Sequence, residues 1–188
     1  MKHLVAILFV IALFTACEDE VVVKPSAQLR LEYEKGPYNR ISTDCPYSFE
    51  INSQATLQKK GGCNMNVTYP GMKATLYLTY RPIQGNNLDS LLYDAQKLTY
   101  DHTIKANRIL EQPRVDSIND VYGMLYMING DAATQSQFYV TDSTKHFLVG
   151  SVYFEAAPNF DSIYPAVSYL REDVRTIMET LRWKEETP

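Results

Sequence analysis

The sequence is short of positive charge, of histidine and of cysteine, and each shortage removes a class of function. Lysine and arginine number 18 against 22 aspartates and glutamates, a net charge of −4, and nowhere do they form a run. Nucleic-acid binding needs a basic face to neutralise phosphates, so that class of partner is excluded. Three histidines and three cysteines leave a thin repertoire for catalysis or metal binding. No HExxH, no GxSxG and no phosphate-cradling glycine-rich loop occurs. The sequence therefore implies neither a metal nor a cofactor. What is present is ordinary for a globular protein: 45% hydrophobic and 21% charged residues in a chain of 188. That length builds one domain with a real core and is too short for two comfortable ones. Tyrosine is abundant, at 14, which suits strand surfaces.

Long apolar runs are also missing, with one exception. Residues 4–14 are unbroken apolar sequence behind the basic start Met1-Lys2-His3. As a helix this run spans only about 16 Å, roughly half a bilayer core. It reads as the hydrophobic part of a secretion signal. Thr15 and Ala16 then precede Cys17, and a small residue followed by cysteine resembles the bacterial lipobox. In that pattern Cys17 receives diacylglycerol and becomes the mature N-terminus. Phe14 stands where leucine is usual, which keeps the bulky apolar character. Glu18, Asp19 and Glu20 cannot enter lipid and would hold the tether in water. The expected organisation is a signal peptide at 1–16, an acidic tether at 17–27 and a single domain at 28–188.

With Cys17 spent on the anchor, Cys45 and Cys63 remain as an even pair in an exported chain. A bridge between them would close a loop containing Lys59-Lys60-Gly61-Gly62, worth about 3 kcal/mol of chain entropy. CxxC spacing is absent and no histidine lies between or beside them, so neither redox nor metal chemistry fits. A structural disulfide is expected.

The mature chain reads as strands and helices in one block. Residues 28–33 alternate Leu29, Leu31 and Tyr33 on one face, and 47–51 alternate likewise. Met65, Val67 and Tyr69 share a face with Cys63, and Pro70-Gly71 turns the chain into a strand that Pro82 ends. A helix over 88–106 would bury Leu88, Leu91, Leu92, Ala95 and Leu98. Four strands follow, at 108–115, 121–128, 135–142 and 145–156. The last element is a helix carrying Ile163, Val167, Leu170, Val174, Ile177 and Leu181, with Asp161 as N-cap and Pro165 in its first turn. The pattern predicts an α+β fold, a mainly antiparallel sheet flanked by two amphipathic helices.

Several segments carry a specific resemblance. CPYSFEI, LTYRP, DAQKLTYDHTIKA, METLRW and above all the stretch from Val121 to Leu170 resemble the GldD gliding motility lipoprotein family of Bacteroidetes. The resemblance implies a cell-envelope lipoprotein, held to the membrane by its N-terminal lipid, that works with other proteins of gliding and of type IX secretion. In lipoproteins of these bacteria, acids directly after the cysteine resemble a signal for export to the outer surface; the alternative location is the periplasmic face. The order of elements also resembles the Mog1/PsbP-type sandwich, a binding fold. Ser90, Ser117, Ser143 and Ser162 each follow an aspartate and precede an apolar residue or threonine, a pattern resembling the O-glycosylation site of the same bacteria. The same Asp-Ser pairs also suit turns and helix starts.

Two histidines invite an enzymatic alternative. Thr141 to His146 gathers hydroxyls, an acid, a lysine and a histidine, but Asp142-Ser143-Thr144-Lys145 is also what a tight turn between strands requires. His146 is then expected on an exposed strand position. His102 falls on the apolar stripe, where a core histidine is expected. The Asn66-Val67-Thr68 sequon lies inside a strand and Asp131 at a hairpin tip. The sequence thus points to a non-catalytic binding component. The alternatives are a carrier of a small apolar ligand and an envelope hydrolase using His146 or His102. If Cys17 is the lipid acceptor, Cys17→Ser yields a protein that fails to label with palmitate in cells; labelling that persists would remove the anchor from this reading.

Overall fold

The computed structural model describes residues 32–41, 43–155 and 159–184, without the side chains of residues 102 and 103. The signal peptide, Cys17, the tether and most of the strand expected at 28–33 lie outside these residues. Glu32 and Tyr33, its last two positions, are not in a strand.

The described chain runs through β1 (Tyr38–Arg40), β2 (Tyr47–Ser48), β3 (Glu50–Asn52), β4 (Thr56–Lys59), β5 (Met65–Tyr69) and β6 (Ala74–Pro82). After helix α1 (Leu88–Tyr100) come β7 (Ala106–Asp116), β8 (Val121–Gly130), β9 (Thr134–Thr141) and β10 (His146–Phe154). Helix α2 (Phe160–Thr180) and β11 (Arg182–Trp183) close the described chain. Seven strands form one antiparallel sheet in the order β4-β5-β6-β10-β9-β8-β7. The fold is α+β, as the pattern predicted, and the sheet extends beyond the four late strands because β10 pairs with β6 from His146↔Pro82 to Phe154↔Ala74. That register brings β4–β6 into the same sheet. β1 pairs with β3, and β11 with β2, as two small ribbons beside it.

Each face of the sheet takes one helix. On the first, Leu170, Val174, Ile177, Met178 and Leu181 of the α2 segment pack on Met65, Val67, Leu76, Leu78, Leu125, Phe138, Val140, Leu148 and Val152, all buried. The spacings of three and four that the sequence displayed make this stripe continuous. Helix α2 begins earlier than expected. Asn159, not Asp161, is the N-cap, its side chain accepting from the Ser162 N–H at 3.3 Å, while Asp131 accepts from the Phe160 N–H at 2.9 Å. Asp161 instead sits in the first turn, where its charge complements the helix dipole. Pro165 is the sixth residue of the helix and so lies past the first turn where it was expected; lacking an N–H, it cannot bond the carbonyl of the exposed Asp161 four residues before it.

On the second face α1 is shorter and sits differently from expectation. It ends at Tyr100, a 3-10 turn (Asp101–Ile104) follows, and Ala106 is already strand. Ala95 and Thr99 are its buried residues, and Leu98 is 42% exposed. The reason is close approach: the Gln137 side chain of β9 donates to the Ala95 carbonyl at 2.9 Å, so the helix meets the sheet through its small residues. Its leucines splay to the flanks. Asn87 precedes the helix as its N-cap, but its side chain makes no cap bond and accepts instead from the Gln84 N–H at 2.8 Å.

The Cys45–Cys63 disulfide is formed, with the Cα atoms 5.5 Å apart. It pins the segment before β2 to the start of β5, and the Tyr47 hydroxyl donates to the Cys63 carbonyl at 2.6 Å.

Two glycines mark the sheet's tightest points, Gly123 on β8 and Gly150 on β10. Gly150 bears on the core. A Cβ there would lie 2.1 Å from Cε1 of Phe138, whose ring is fully buried and cannot yield. Gly150→Ala should therefore destabilise the domain by about 1–3 kcal/mol. Gly71, with open space around its missing Cβ, serves as control. Urea midpoints for the two variants measure the difference; equal values would mean that the core around Phe138 is loosely packed.

Candidate functional site

The sheet has two ends, and they differ in character. At the first end, β6 and β10 are joined across Ala74 and Phe154, and the β5–β6 turn lies close by. The described chain enters here: the Tyr33 ring packs edge-on against Tyr169, and the Tyr169 hydroxyl donates to the Glu34 carbonyl at 3.1 Å. Beside this entry lies a buried polar cluster. Asp173, facing the sheet from α2, accepts a short hydrogen bond from the Tyr38 hydroxyl, and Asn52 donates to the Tyr169 hydroxyl at 2.7 Å. Burial pushes the Asp173 carboxyl above the usual range, with the Tyr38 and Tyr69 hydroxyls and the Asn52 amide pulling the other way. Burial, and then the bond to Asp173, push the Tyr38 phenol up to about 12. A small cavity of about 140 Å³, lined by Tyr33, Tyr69 and Tyr169, adjoins the cluster, whose hydrogen bonds lock α2 to β1 and β3.

The opposite end carries the larger concavity. Three connections meet there: the β6–α1 loop, the β7–β8 turn at 117–120 and the β9–β10 turn at 142–145. The ribbon of β11 with β2 closes the fourth side. Four of the non-glycine residues with positive φ belong to this end: Cys63, Asn86, Asp120 and Ser143. An open cavity of about 470 Å³ is lined by Ile118, Asn119, Asp120, Lys145, His146 and Trp183, with Asp142, Arg182 and Lys184 at its margins.

His146 forms part of this cavity and is not the exposed strand residue the sequence suggested. It is 5% exposed, because β11 returns across the strand end and lays Trp183 over it. The two rings stack at 5.1 Å with 20° between planes. On its other side Nδ1 lies 2.9 Å from the Tyr80 hydroxyl. Tyr80 in turn stacks on Tyr47, and Tyr47 on Phe49, so a column of aromatic rings runs from the core to the cavity. The Trp183 indole N–H donates to the Asp120 carbonyl at 2.9 Å. The turn expected at 142–145 is present: the Asp142 carboxylate accepts from the N–H groups of Thr144, Lys145 and His146 at 2.8–2.9 Å. Burial opposes ionisation of Asp142, but these amides prevail and hold its carboxyl below the usual range.

The other residues singled out by sequence fall apart in space. Ser90, Ser117, Ser143 and Ser162 are all exposed. Ser90, Ser117 and Ser143 lie at the cavity end, and Ser162 at the start of α2, at the opposite end. The backbone of His102 lies in the 3-10 turn after α1; its side chain is outside the described residues. Among the described residues no three His, Cys, Asp or Glu side chains are grouped to hold a metal ion, and no helix is long and apolar enough to cross a membrane.

The family model described as gliding motility lipoprotein GldD matches residues 18–183. The chain belongs to that family. The match runs through Trp183, so the cavity's aromatic floor, both turns and the β11 strand lie within the family region. Comparison with curated proteins finds no match. Membership implies a gliding motility lipoprotein anchored to a membrane of the cell envelope.

Sequence reasoning missed the aromatic column because Tyr47, Tyr80, His146 and Trp183 are far apart in the chain. It could have found Asp173, which stands at a stripe position between Leu170 and Ile177, where a carboxylate is out of place.

Buried phenols set an alkaline limit. Tyr47, Tyr69 and Tyr126 are driven up even further than Tyr38, burial being the largest cause for each. A phenol whose folded pKa is raised contributes stability that is complete below its unfolded value and lost as pH rises beyond it. The urea midpoint should thus fall steeply as pH rises from 10 to about 12. Absorbance at 295 nm should show a fraction of the tyrosines ionising only as the chain unfolds. A smooth titration of all of them near pH 10 would contradict the burial described.

Proposed function

We propose that this chain is a non-catalytic binding component of the gliding and type IX secretion machinery, tethered to the envelope through lipid on Cys17. The family match is the observation that carries the reading, since it makes the chain a gliding motility lipoprotein. The state of the histidine supports the non-catalytic role. His146 is stacked on Trp183 and held at Tyr80, as a structural ring is, and the hydroxyl of Thr141 is spent on the His146 carbonyl at 2.7 Å. The α2 face of the sheet is filled with side chains, which disfavours an apolar ligand carried there. A smaller groove of about 280 Å³ beside α1, lined by Leu91, Leu98, Phe147 and Val149, is where such a ligand would have to sit.

A domain entered at one end of its sheet presents the other end outward. The nine paired positions of β6 and β10 separate the two by roughly 27 Å. The reading therefore assigns partner contacts to the cavity end. Photo-crosslinkers placed at Ile118 and Ser143 in living cells should capture envelope proteins of the machinery, whereas one at Gly71 should not. A pattern reversed between the two ends would reject the orientation.

His146→Gln addresses catalysis. The residue is buried, so losing the stack and the bond to Tyr80 should cost about 1–3 kcal/mol and lower cellular abundance. Gliding or secretion restored to a deletion strain, divided by the amount of protein, should stay near that of the unaltered chain. Normal abundance with no restored function would mean the imidazole does chemistry or contacts a partner directly, and the purely structural role given to it here would fail.

A further inference from the structure

We infer that the cavity floored by Trp183 is a carbohydrate site that selects saccharides bearing a carboxylate. The inference rests on the non-catalytic binding reading above and names what one of its surfaces recognises.

The floor is rigid before any ligand arrives. Trp183 is fixed in three ways: by the pairing of β11 with β2, by its N–H on the Asp120 carbonyl, and by its stack on a histidine that is itself held. A fixed aromatic plate loses no rotamer entropy when a sugar ring covers it.

The rim supplies donors in excess. Lys145, Arg182 and Lys184 bring three cations. The Lys184 ammonium donates to the Thr43 carbonyl and the Arg182 guanidinium to the Glu179 and Leu181 carbonyls. Both hydrogen-bond to neutral carbonyls, and the Lys184 charge also helps to hold the Asp44 carboxyl below its usual range. Lys145 is exposed and has no ion-pair partner among the described residues. Of the two carboxylates, Asp142 is spent on three backbone amides. Asp120 accepts only a long hydrogen bond from the Tyr122 hydroxyl, at 3.4 Å, among the described side chains, and keeps lone pairs to accept from further hydroxyls. An aromatic plate with both acceptors and cationic donors is what a ring of hydroxyls bearing one acid group needs.

A peptide fits less well. An acidic or extended peptide is held largely through its backbone, which requires free amides or an open strand edge. Here the amides of Thr144, Lys145 and His146 are taken by Asp142, and that of Asn119 by Asp116 at 3.2 Å.

Trp183 is the sole tryptophan of the chain, so its emission reports this cavity alone. The mature lipoprotein in phospholipid nanodiscs is titrated with a tetramer of galacturonic acid, the methyl ester of that tetramer, and a hexaglutamate peptide. The galacturonate should change Trp183 emission saturably, at least about tenfold more tightly than the neutral ester, since a charge-assisted bond contributes about that much. Lys145→Ala should bring the acid down toward the ester without altering the emission of the ligand-free protein. No saturable change with either sugar overturns the inference, as does an equal response to the peptide or an acid preference surviving in Lys145→Ala. A chain ending at Lys184 is measured in parallel. If emission shifts on removing residues 185–188 and neither sugar binds either form, the cavity belongs to the chain's own tail and the inference falls. Chromatography of the recovered tetramer separates the two readings. Binding with cleavage would end the non-catalytic proposal and leave the site standing, whereas no binding would leave the crosslinking result untouched.

Discussion

The packing of α2 across the middle of the sheet is the interaction on which the rest of the molecule depends. Its apolar stripe covers strands from both the early and the late regions of the chain, from Met65 to Val152. Remove it and the first face, with residues as large as Phe138 and Leu148, would be left in water. Everything at the edges is hung from this contact. Asp173 and Tyr169 on the same helix reach β1, Asn52 and the entering chain. The helix end delivers β11, and through it Trp183, to the opposite end. A guanidinium from β1 reinforces the arrangement: Arg40 donates to the Thr180 carbonyl at 3.1 Å, near the helix C-terminus.

The two helices show how the same sequence signal succeeds in one place and misleads in another. In α2, Val167, Leu170, Val174 and Ile177 are buried as their spacing requires, because the helix lies on an apolar face wide enough to receive a full stripe. In α1 the leucines have the same periodicity, yet the face beneath offers Gln137 and the ring of Tyr139. Small residues approach such a face more closely than leucines can, so Ala95 and Thr99 make the contact. Periodicity states that a helix has a preferred side; only the receiving surface decides which residues of that side are covered.

Strands were legible for a similar reason. Met65, Val67 and Tyr69 alternate and are buried, and the late hairpins fall within a few residues of their turn signals. The disulfide was legible from counting. The number of strands in the sheet was not, because the β6–β10 pairing joins residues far apart in sequence and no local pattern announces it. The burial of His146 was hidden for the same cause. From the strand alone its position looks like a hairpin margin; it is the return of the C-terminal strand that covers it. Asn159 took the helix cap from Asp161 because Asp131, from a distant turn, extends the helix start by binding the Phe160 amide.

The disulfide has a mechanical consequence. A chain hauled by its N-terminal end and resisted at the cavity end feels tension along the strand direction. Force entering through residues 34–45 crosses at Cys45 directly into Cys63 and the start of β5, bypassing residues 46–62. Cys63 lies at the cavity end, beside Asn64, whose side chain accepts from the Tyr80 N–H at 2.9 Å, so the bond delivers the load to that end directly. The β5–β6 and β6–β10 ladders then carry little of it. The covalent shortcut thus spares the sheet much of the tension between its two ends.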